Sequence, residues 1–151
     1  MGLIDFFSAQ FESGEGYTLG MFAKDGTYLG GTGFNVEDGE LEIGYWLRED
    51  AQGQGLVTEV AAALTRVALE YAGAPRVTLA IEPTNAPSVA IAMRLGFSQR
   101  GTRLEEFGPG GELRESLLFD VTRADFHATP AATFPVPALR DADGKAAAWP
   151  A

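Results

Sequence analysis

The chain has 151 residues and a formal net charge of −10, with 46% hydrophobic and 21% charged residues. This length and composition predict a single globular domain, and the negative charge disfavours nucleic-acid binding. Because the chain has no cysteine and one histidine, we expect no disulfide, no thiolate nucleophile and no metal site. No apolar run approaches the roughly 18 residues of a membrane span, and residues 1–5 lack the basic region of a secretory signal, so we expect a cytoplasmic protein without a membrane partner.

The first third of the chain predicts a helix followed by an antiparallel meander of three strands. Apolar residues at helical spacing predict the helix, and alternating apolar residues predict the strands. These elements cover residues 3–12, 17–22, 28–34 and 41–47. The dipeptide Asp25-Gly26, a hairpin signal, joins the first two strands.

The following residues change to a helical period and then return to strands. Apolar positions recur at helical spacing from Leu56 to Tyr71, and Gly73 ends that helix. The later elements are a strand over 77–81, a short helix from Ala86 to Gly96 with Asn85 as its cap, and strands over 97–107 and 113–121 around Gly108-Pro109-Gly110-Gly111. Residues 41–81 therefore form a strand–loop–helix–strand unit, which predicts a right-handed crossover between parallel neighbours.

The end of the chain differs in composition from the rest. From Ala128 onward, alanine, proline and small polar residues dominate, and four prolines argue against a regular core element. We therefore expect residues 1–127 to form the folded domain and residues 128–151 to form an Ala/Pro-rich tail or arm.

The loop before the long helix has the features of a phosphate site. Gly53 and Gly55 precede the first helical turn, whose N–H groups have no partner inside the helix and carry the positive end of its dipole. Glycines let an anion approach this backbone closely, so the loop predicts phosphate binding. It is not a Walker loop, because no Lys-Ser/Thr follows, and a dinucleotide fingerprint would need glycine at Thr58. From the loop alone, a plain glycine-rich helix start is an equal alternative.

Three segments together carry a family resemblance. Gln52-Gly53-Gln54-Gly55-Leu56-Val57 resembles the Gln/Arg-x-x-Gly-x-Gly/Ala motif of the GNAT N-acetyltransferase superfamily, with Val57 in the final small position. The preceding Glu42–Leu47, and the later Asn85–Ser88 with Arg94–Phe97, resemble that superfamily's adjoining strand and helix. The resemblance covers residues 15–122 and is closest to the ribosomal-protein-alanine acetyltransferase-like branch. It implies an α/β (α+β) fold with a mixed, mostly antiparallel twisted sheet around a strand–loop–helix–strand core.

The resemblance also implies acetyl-CoA as the cofactor. Its pyrophosphate would lie on the backbone of the loop and first helical turn, formed by Gln52, Gly53, Gln54, Gly55, Leu56, Val57 and Thr58. Its pantetheine arm would lie between two splayed strands and bind backbone groups near Trp46 and Leu47. Asn85 and Ser88 would lie beside the arm and the thioester.

The implied activity is acetyl transfer to a primary amine, by direct attack in a ternary complex. An alkylamine with a pKa of roughly 10 must lose a proton before it attacks, so a general base is expected. Glu42 is the first candidate because it faces away from the apolar positions of its strand, Glu82 at the end of the next strand is the second, and Tyr45 is a third. By resemblance, Ser88 is the donor on the thiolate side. Each of these side chains also has an ordinary structural interpretation.

The net charge and the first residues of the chain lead to expectations about the amine acceptor and the oligomeric state. Residues 1–50 hold ten acidic and two basic residues, a net charge of −8, so we expect a cationic amine: a protein N-terminus or a small cationic molecule. By resemblance, the helix over 3–12 matches the family's second helix, so we expect the first strand and helix to be absent and a sheet edge to be exposed. Residues 134–143 faintly resemble that missing strand; a disordered tail and packing on a partner chain are the other interpretations. We expect a homodimer.

A second function from another class stays open. A degenerate acyl-CoA-binding regulatory module would keep the loop but not catalyse, and a scaffold with a relic loop would do neither. Coenzyme A binding separates the scaffold from the first two, and turnover on a panel of amines separates the enzyme from the binding module.

Overall fold

The computed structural model describes residues 3–107 and 110–150, with the side chains of residues 8–106 and 110–150. Gly108 and Pro109 of the predicted turn, and the side chains of Phe6 and Phe7, lie outside this description. The helices and strands are α1 Leu3–Ser13, β1 Gly16–Phe22, β2 Tyr28–Glu37, β3 Glu40–Leu47, α2 Leu56–Arg66, β4 Arg76–Ile81, α3 Ala86–Leu95, β5 Ser98–Phe107, β6 Glu112–Thr122, β7 Leu139–Arg140 and β8 Ala146–Ala147. None of the helices in these residues has the length and apolar character needed to cross a bilayer.

Six strands form one sheet in the order β1-β2-β3-β4-β6-β5. β3 and β4 are parallel, and every other neighbouring pair is antiparallel. This confirms the mixed, mostly antiparallel sheet and the strand–loop–helix–strand core that the sequence predicts. The long helix differs from the prediction in its last turn: Val67–Tyr71 is a π-helix, in which the Ala72 N–H donates to the Val67 carbonyl at 2.8 Å.

The hydrophobic core lies on one face of the sheet. Alternate residues of β4, namely Val77, Leu79 and Ile81, point into it and are almost fully buried. They pack with buried residues of β3, β6, α2 and α3 in one cluster. Burial of each such aliphatic side chain contributes about 1.5–3 kcal/mol, so this face fixes the position of α2 and α3 over the sheet.

The opposite face of the sheet is polar. Arg100 of β5 pairs with Glu40 of β3 at 2.7 Å, and Arg103 of β5 pairs with Glu42 of β3 at 2.9 Å. β4 and β6 lie between these strands. The two arginines therefore reach across β4 and β6 to the carboxylates of β3 on this face.

The segment after β6 folds back on the same chain. Phe126 and Ala131 are buried in the core, and the buried Arg66 of α2 donates to the Ala132 carbonyl at 2.6 Å. β7 pairs with β8 and does not join the six-stranded sheet. The interpretation of residues 134–143 as a displaced first strand is therefore wrong, because this segment, which contains two prolines, forms its own small hairpin.

Candidate functional site

The parallel strands β3 and β4 separate after two paired residues. Their register pairs Leu41 with Val77 and Glu42 with Thr78, and no further pairs follow. β3 continues to Leu47 on its ladder with β2, while β4 continues to Ile81 on its ladder with β6. Between Ile43 and Leu47, the edge of β3 that faces β4 thus has no ladder partner in the described sheet. Such an edge can bind an extended, amide-containing ligand as an added strand.

The loop between β3 and α2 presents unpaired backbone donors. Gly53 and Gly55 have φ angles of 77° and 78°, a left-handed conformation that strongly favours glycine. A Cβ at either position would meet nothing within 4 Å, so conformation rather than space selects glycine here. α2 begins after Gly55 without a side-chain cap. Its first N–H groups and its positive dipole end are therefore available to an anion.

One cavity of about 840 Å³ joins these two features. It brings together every cofactor-binding residue predicted from the sequence except Gln54, which is exposed in the loop and does not line it. Trp46 and Leu47 come from the open end of β3, the loop and the first turn of α2 form a second wall, and Asn85 and Ser88 come from the start of α3. The cavity therefore connects an open strand edge to a helix N-terminus.

Sequence reasoning missed part of the wall that α3 contributes. Pro87, Ala90, Ile91 and Arg94 also line the cavity, and their spacing places them on one face of the helix. Arg94 brings a cation towards the loop, since its Nη1 donates to Thr58 Oγ1 at 3.5 Å. The helical spacing from Pro87 (i+3, i+4 and i+7) could have identified this face before the structure was known.

Two hydroxyl groups lie where α3 meets β3. Asn85 Oδ1 accepts a hydrogen bond from the Ser88 N–H at 3.2 Å, which confirms the predicted cap. Ser88 is 8% exposed, and Tyr45 lines the same cavity. Burial raises the pKa of the Tyr45 hydroxyl, and the Ser88 hydroxyl acts on that pKa in the opposite direction. Tyr45 is therefore protonated at neutral pH.

The two carboxylates predicted as bases are both in ion pairs. Glu42 faces the polar side of the sheet, as expected, and is 8% exposed against Arg103. Burial is the largest influence on the pKa of Glu42 and raises it; Arg103 opposes this effect, and the net shift is upward. Glu82 is exposed and pairs with Arg114 at 2.9 Å. Neither carboxylate lines the large cavity.

A second, smaller cavity of about 210 Å³ lies against β1, β2 and β3. Its lining includes three glycines, Gly31, Gly33 and Gly44, together with Tyr45 and Trp46. A Cβ at Gly31 would lie 2.5 Å from Trp46 Nε1, so only glycine allows the indole to pack there. Because Tyr45 and Trp46 also line the large cavity, the two cavities meet at the same stretch of β3.

Comparisons with known proteins identify the family. The chain is 27% identical over 101 residues to the uncharacterized N-acetyltransferase p20 of Bacillus licheniformis, covering 65% of this chain and 57% of that protein. It thus spans little more than half the length of this curated relative.

Solved structures share the fold. RimJ of Mycobacterium smegmatis, in complex with CoA-disulfide, has a TM-score of 0.69 and 24% identity, over 85% of this chain and 63% of RimJ. The spermidine/spermine N-acetyltransferase SpeG of Vibrio cholerae also has a TM-score of 0.69, with 12% identity over 83% of this chain and 76% of SpeG. The family model described as an acetyltransferase (GNAT) domain matches residues 3–98, more than half of the chain, and the chain therefore belongs to the GNAT acetyltransferase family.

Proposed function

We propose that this chain is an acetyl-CoA-dependent N-acetyltransferase that transfers an acetyl group to a primary amine by direct attack in a ternary complex. The observation that carries this proposal is the large cavity, which joins an open strand edge to a glycine-rich helix N-terminus. Coenzyme A has an anionic pyrophosphate and an extended arm with two amides. The cavity offers a matching group for each, namely helix N–H donors for the phosphates and a free strand edge for the amides.

The residues of the cavity divide between the parts of this ligand. We assign the backbone of Gln52–Thr58 to the pyrophosphate and the backbone of Trp46 and Leu47 to the arm. Arg94, whose guanidinium reaches towards the loop, adds a positive charge near the phosphates. Asn85 and Ser88 are assigned to the thioester end. Acetyl-CoA supplies an acyl carbon that is activated by its thioester bond.

The transfer needs a base that accepts the amine proton. It also needs hydrogen-bond donors for the carbonyl oxygen and the sulfur, which both gain negative charge. We assign the amine proton to Glu42, directly or through water, because its raised pKa makes it a better base than an ordinary glutamate. Backbone N–H groups around Tyr45 and Leu47 can stabilise the carbonyl oxygen. Ser88 can donate to the sulfur as the carbon–sulfur bond breaks.

The acceptor would approach from the polar face of the sheet. The small glycine-lined cavity meets the large one at Tyr45 and Trp46, so an amine there would face the acyl end of the ligand across β3. The net charge of −8 over residues 1–50 favours a cationic amine, either a protein N-terminus or a small cationic molecule.

A specific observation favours the alternative of a binding module without catalysis. Both candidate bases, Glu42 and Glu82, pair with arginines, and neither lines the large cavity in which the acyl donor would bind. In that case the chain would bind acyl-CoA and respond to it without turnover.

The same proposal includes the cellular location of the protein and its partners. The net charge of −10 supports a protein without nucleic-acid or anionic-membrane partners. We propose that it acts in the cytoplasm as a homodimer, with residues 128–151 lining the interface rather than reaching across it, since residues 126–134 pack on their own α2.

Two measurements on one preparation test the function. Calorimetry measures coenzyme A binding, and thiol release from acetyl-CoA is followed across a library of protein N-termini, polyamines and amino acids. Binding with turnover on at least one amine supports the enzyme, and binding without turnover on any amine supports the module. Absence of both would overturn the two proposals together.

A further inference from the structure

Tyr45 contributes a buried hydroxyl to the wall of the large cavity. Among the described residues, two buried side-chain atoms have no hydrogen-bond partner, namely Tyr45 Oη and Arg103 Nε. Arg103 Nε lies 2.5 Å from Glu105 Oε1, so an ion pair stabilises it. Tyr45 Oη has no ionic neighbour of this kind, and an unsatisfied buried hydroxyl is costly. Its place in the cavity wall suggests that it acts there.

Ser88 is the polar neighbour that can accept a hydrogen bond from the Tyr45 hydroxyl. It lowers the pKa of Tyr45, while burial raises that pKa by a larger amount. Ser88 lies in the first turn of α3, where Asn85 fixes its backbone N–H at 3.2 Å, and it lines the same cavity as Tyr45. β3 and α3 therefore bring both residues to the wall of one cavity.

The direction of the hydrogen bond follows from counting donors. Each hydroxyl has one proton to donate and lone pairs to accept. If Ser88 donated to Tyr45, the Tyr45 proton would have no acceptor among the described residues. If Tyr45 donates to Ser88 Oγ, the Ser88 proton is free to point into the cavity. Tyr45 Oη is buried, so a ligand in the cavity can accept a proton from Ser88 but not from Tyr45. Only the second arrangement therefore gives both protons an acceptor once a ligand is present.

We propose that Tyr45 is a positioning residue whose hydroxyl donates to Ser88 Oγ and so directs the Ser88 O–H at the sulfur of the acyl donor. This inference rests on the proposed acetyltransferase function. In the transfer, the amine nitrogen bonds to the acyl carbon, the carbon–sulfur bond breaks and its electron pair goes to sulfur. The amine proton goes to Glu42 or water. Ser88 hydrogen-bonds the developing thiolate, and Tyr45 keeps its own proton throughout.

A double-mutant cycle tests the proposal in the full-length protein. Ser88→Ala should lower kcat about 100-fold, the scale of removing a donor to developing charge. Tyr45→Phe should lower kcat about tenfold, with the KM for acetyl-CoA unchanged. The double variant should be no slower than Ser88→Ala, because Tyr45 acts only through Ser88. Tyr71→Phe is the matched control: it deletes an exposed hydroxyl remote from the cavity and should keep full activity.

Several outcomes would overturn the proposal. Losses that multiply in the double variant would show that Tyr45 acts independently of Ser88. Fluorotyrosine at position 45 keeps the ring, and its hydroxyl is a stronger donor but a weaker base. It should retain at least the unmodified kcat, whereas a loss would indicate that Tyr45 is a base. This substitution decides the matter even if Tyr45→Phe does not fold. Absence of turnover in the unmodified protein would overturn the proposed function and this inference together, whereas turnover with multiplying losses would overturn only the inference.

Discussion

Substitutions of Gly55 can separate the effect of backbone conformation from the effect of a negative charge at the start of α2. Its φ of 78° is left-handed, so any side chain there costs about 1–2 kcal/mol, while a Cβ meets nothing within 4 Å. Gly55→Ala and Gly55→Glu share this cost, but only the second places a carboxylate at the start of α2. We expect Gly55→Ala to retain coenzyme A binding and Gly55→Glu to abolish it, as measured by calorimetry. Equal affinities in the two variants would contradict the phosphate site.

Because the pKa of Glu42 is raised, the pH profile of kcat/KM can test its role as the base. A base acts in its unprotonated form, so kcat/KM should rise with pH as Glu42 loses its proton. Because burial raises this pKa, the rise should come at a higher pH than an ordinary glutamate would give. In Glu42→Gln that rise should vanish, leaving only the rise at higher pH where the amine deprotonates. Turnover should fall by about 10²–10⁴ with coenzyme A affinity retained.

Glu82→Gln is the comparison for this experiment, since Glu82 is the other candidate base and is also paired with an arginine. Melting curves must accompany both variants, because Glu42→Gln leaves Arg103 with Glu105 alone. If Glu42→Gln keeps full activity while Glu82→Gln loses it, the base is misassigned. If both keep full activity, a water chain accepts the proton.

At the scale of elements, the sequence predicts what depends on local pattern. The helical period after Leu56 and the alternation over residues 77–81 locate α2 and β4, and the dipeptide Asp25-Gly26 marks the first hairpin. The opening between β3 and β4 is a different kind of feature, because it depends on how each strand pairs with its other neighbour. The family resemblance implied it, but no spacing within β3 or β4 shows where their pairing stops.

The local sequence pattern does not predict contacts between distant parts of the chain. Glu42 and Arg103 are 61 positions apart and meet only because the strand order brings β3 and β5 within reach of each other. The Ala/Pro-rich composition after residue 127 correctly indicates that no long element follows, yet it does not show that this segment packs on α2. That contact depends on Arg66, which in the sequence looks like any charged residue near the end of a helix.

The contact between α2 and the C-terminal segment makes a stability prediction. Arg66 is buried, pairs with Glu70 at 2.8 Å, donates to the Ala132 carbonyl and lies 5.2 Å from the Phe126 ring. Removing one partner of a buried, hydrogen-bonded ion pair costs about 3–5 kcal/mol, and we expect Arg66→Ala to fall near the lower end of this range. Arg48→Ala, which breaks an exposed pair, should cost less than about 1 kcal/mol. Urea unfolding of the two variants measures both, and similar losses would contradict a structural role of the segment.

For the whole molecule, the charge distribution predicts how the acceptor reaches the site. The net charge of −10, concentrated in the first 50 residues, should attract a cationic amine over a distance that salt shortens. We expect kcat/KM for a cationic acceptor to fall as ionic strength rises, and that for a neutral analogue of similar size to stay constant. Preference for a neutral or acidic acceptor, with no salt effect, would contradict the proposed substrate class.

Assembly is the last property of the whole molecule that can be predicted. β1 has a free edge in the described sheet, and apolar side chains of this strand are exposed, with Leu19 at 46% and Phe22 at 62%. An exposed apolar patch of this kind is most simply covered by a second copy. The hairpin β7–β8 lies beyond Phe134, so a chain ending at residue 134 loses the hairpin but keeps Phe126, Ala131 and the Ala132 carbonyl that Arg66 needs.

Light scattering on the full-length chain and on the chain ending at residue 134 tests this prediction. We expect the full-length protein to be a dimer, because the exposed patch needs a cover. We expect the shortened protein to be a folded monomer: it keeps its core contacts and the exposed patch, but it loses the part of residues 128–151 that we propose completes the interface. A chain ending before Ala128 is the contrasting case: it removes the buried Ala131 and the acceptor of Arg66, so it should unfold at lower urea concentration whatever its mass. A full-length monomer, or a dimer that survives loss of the hairpin, would contradict the proposed interface.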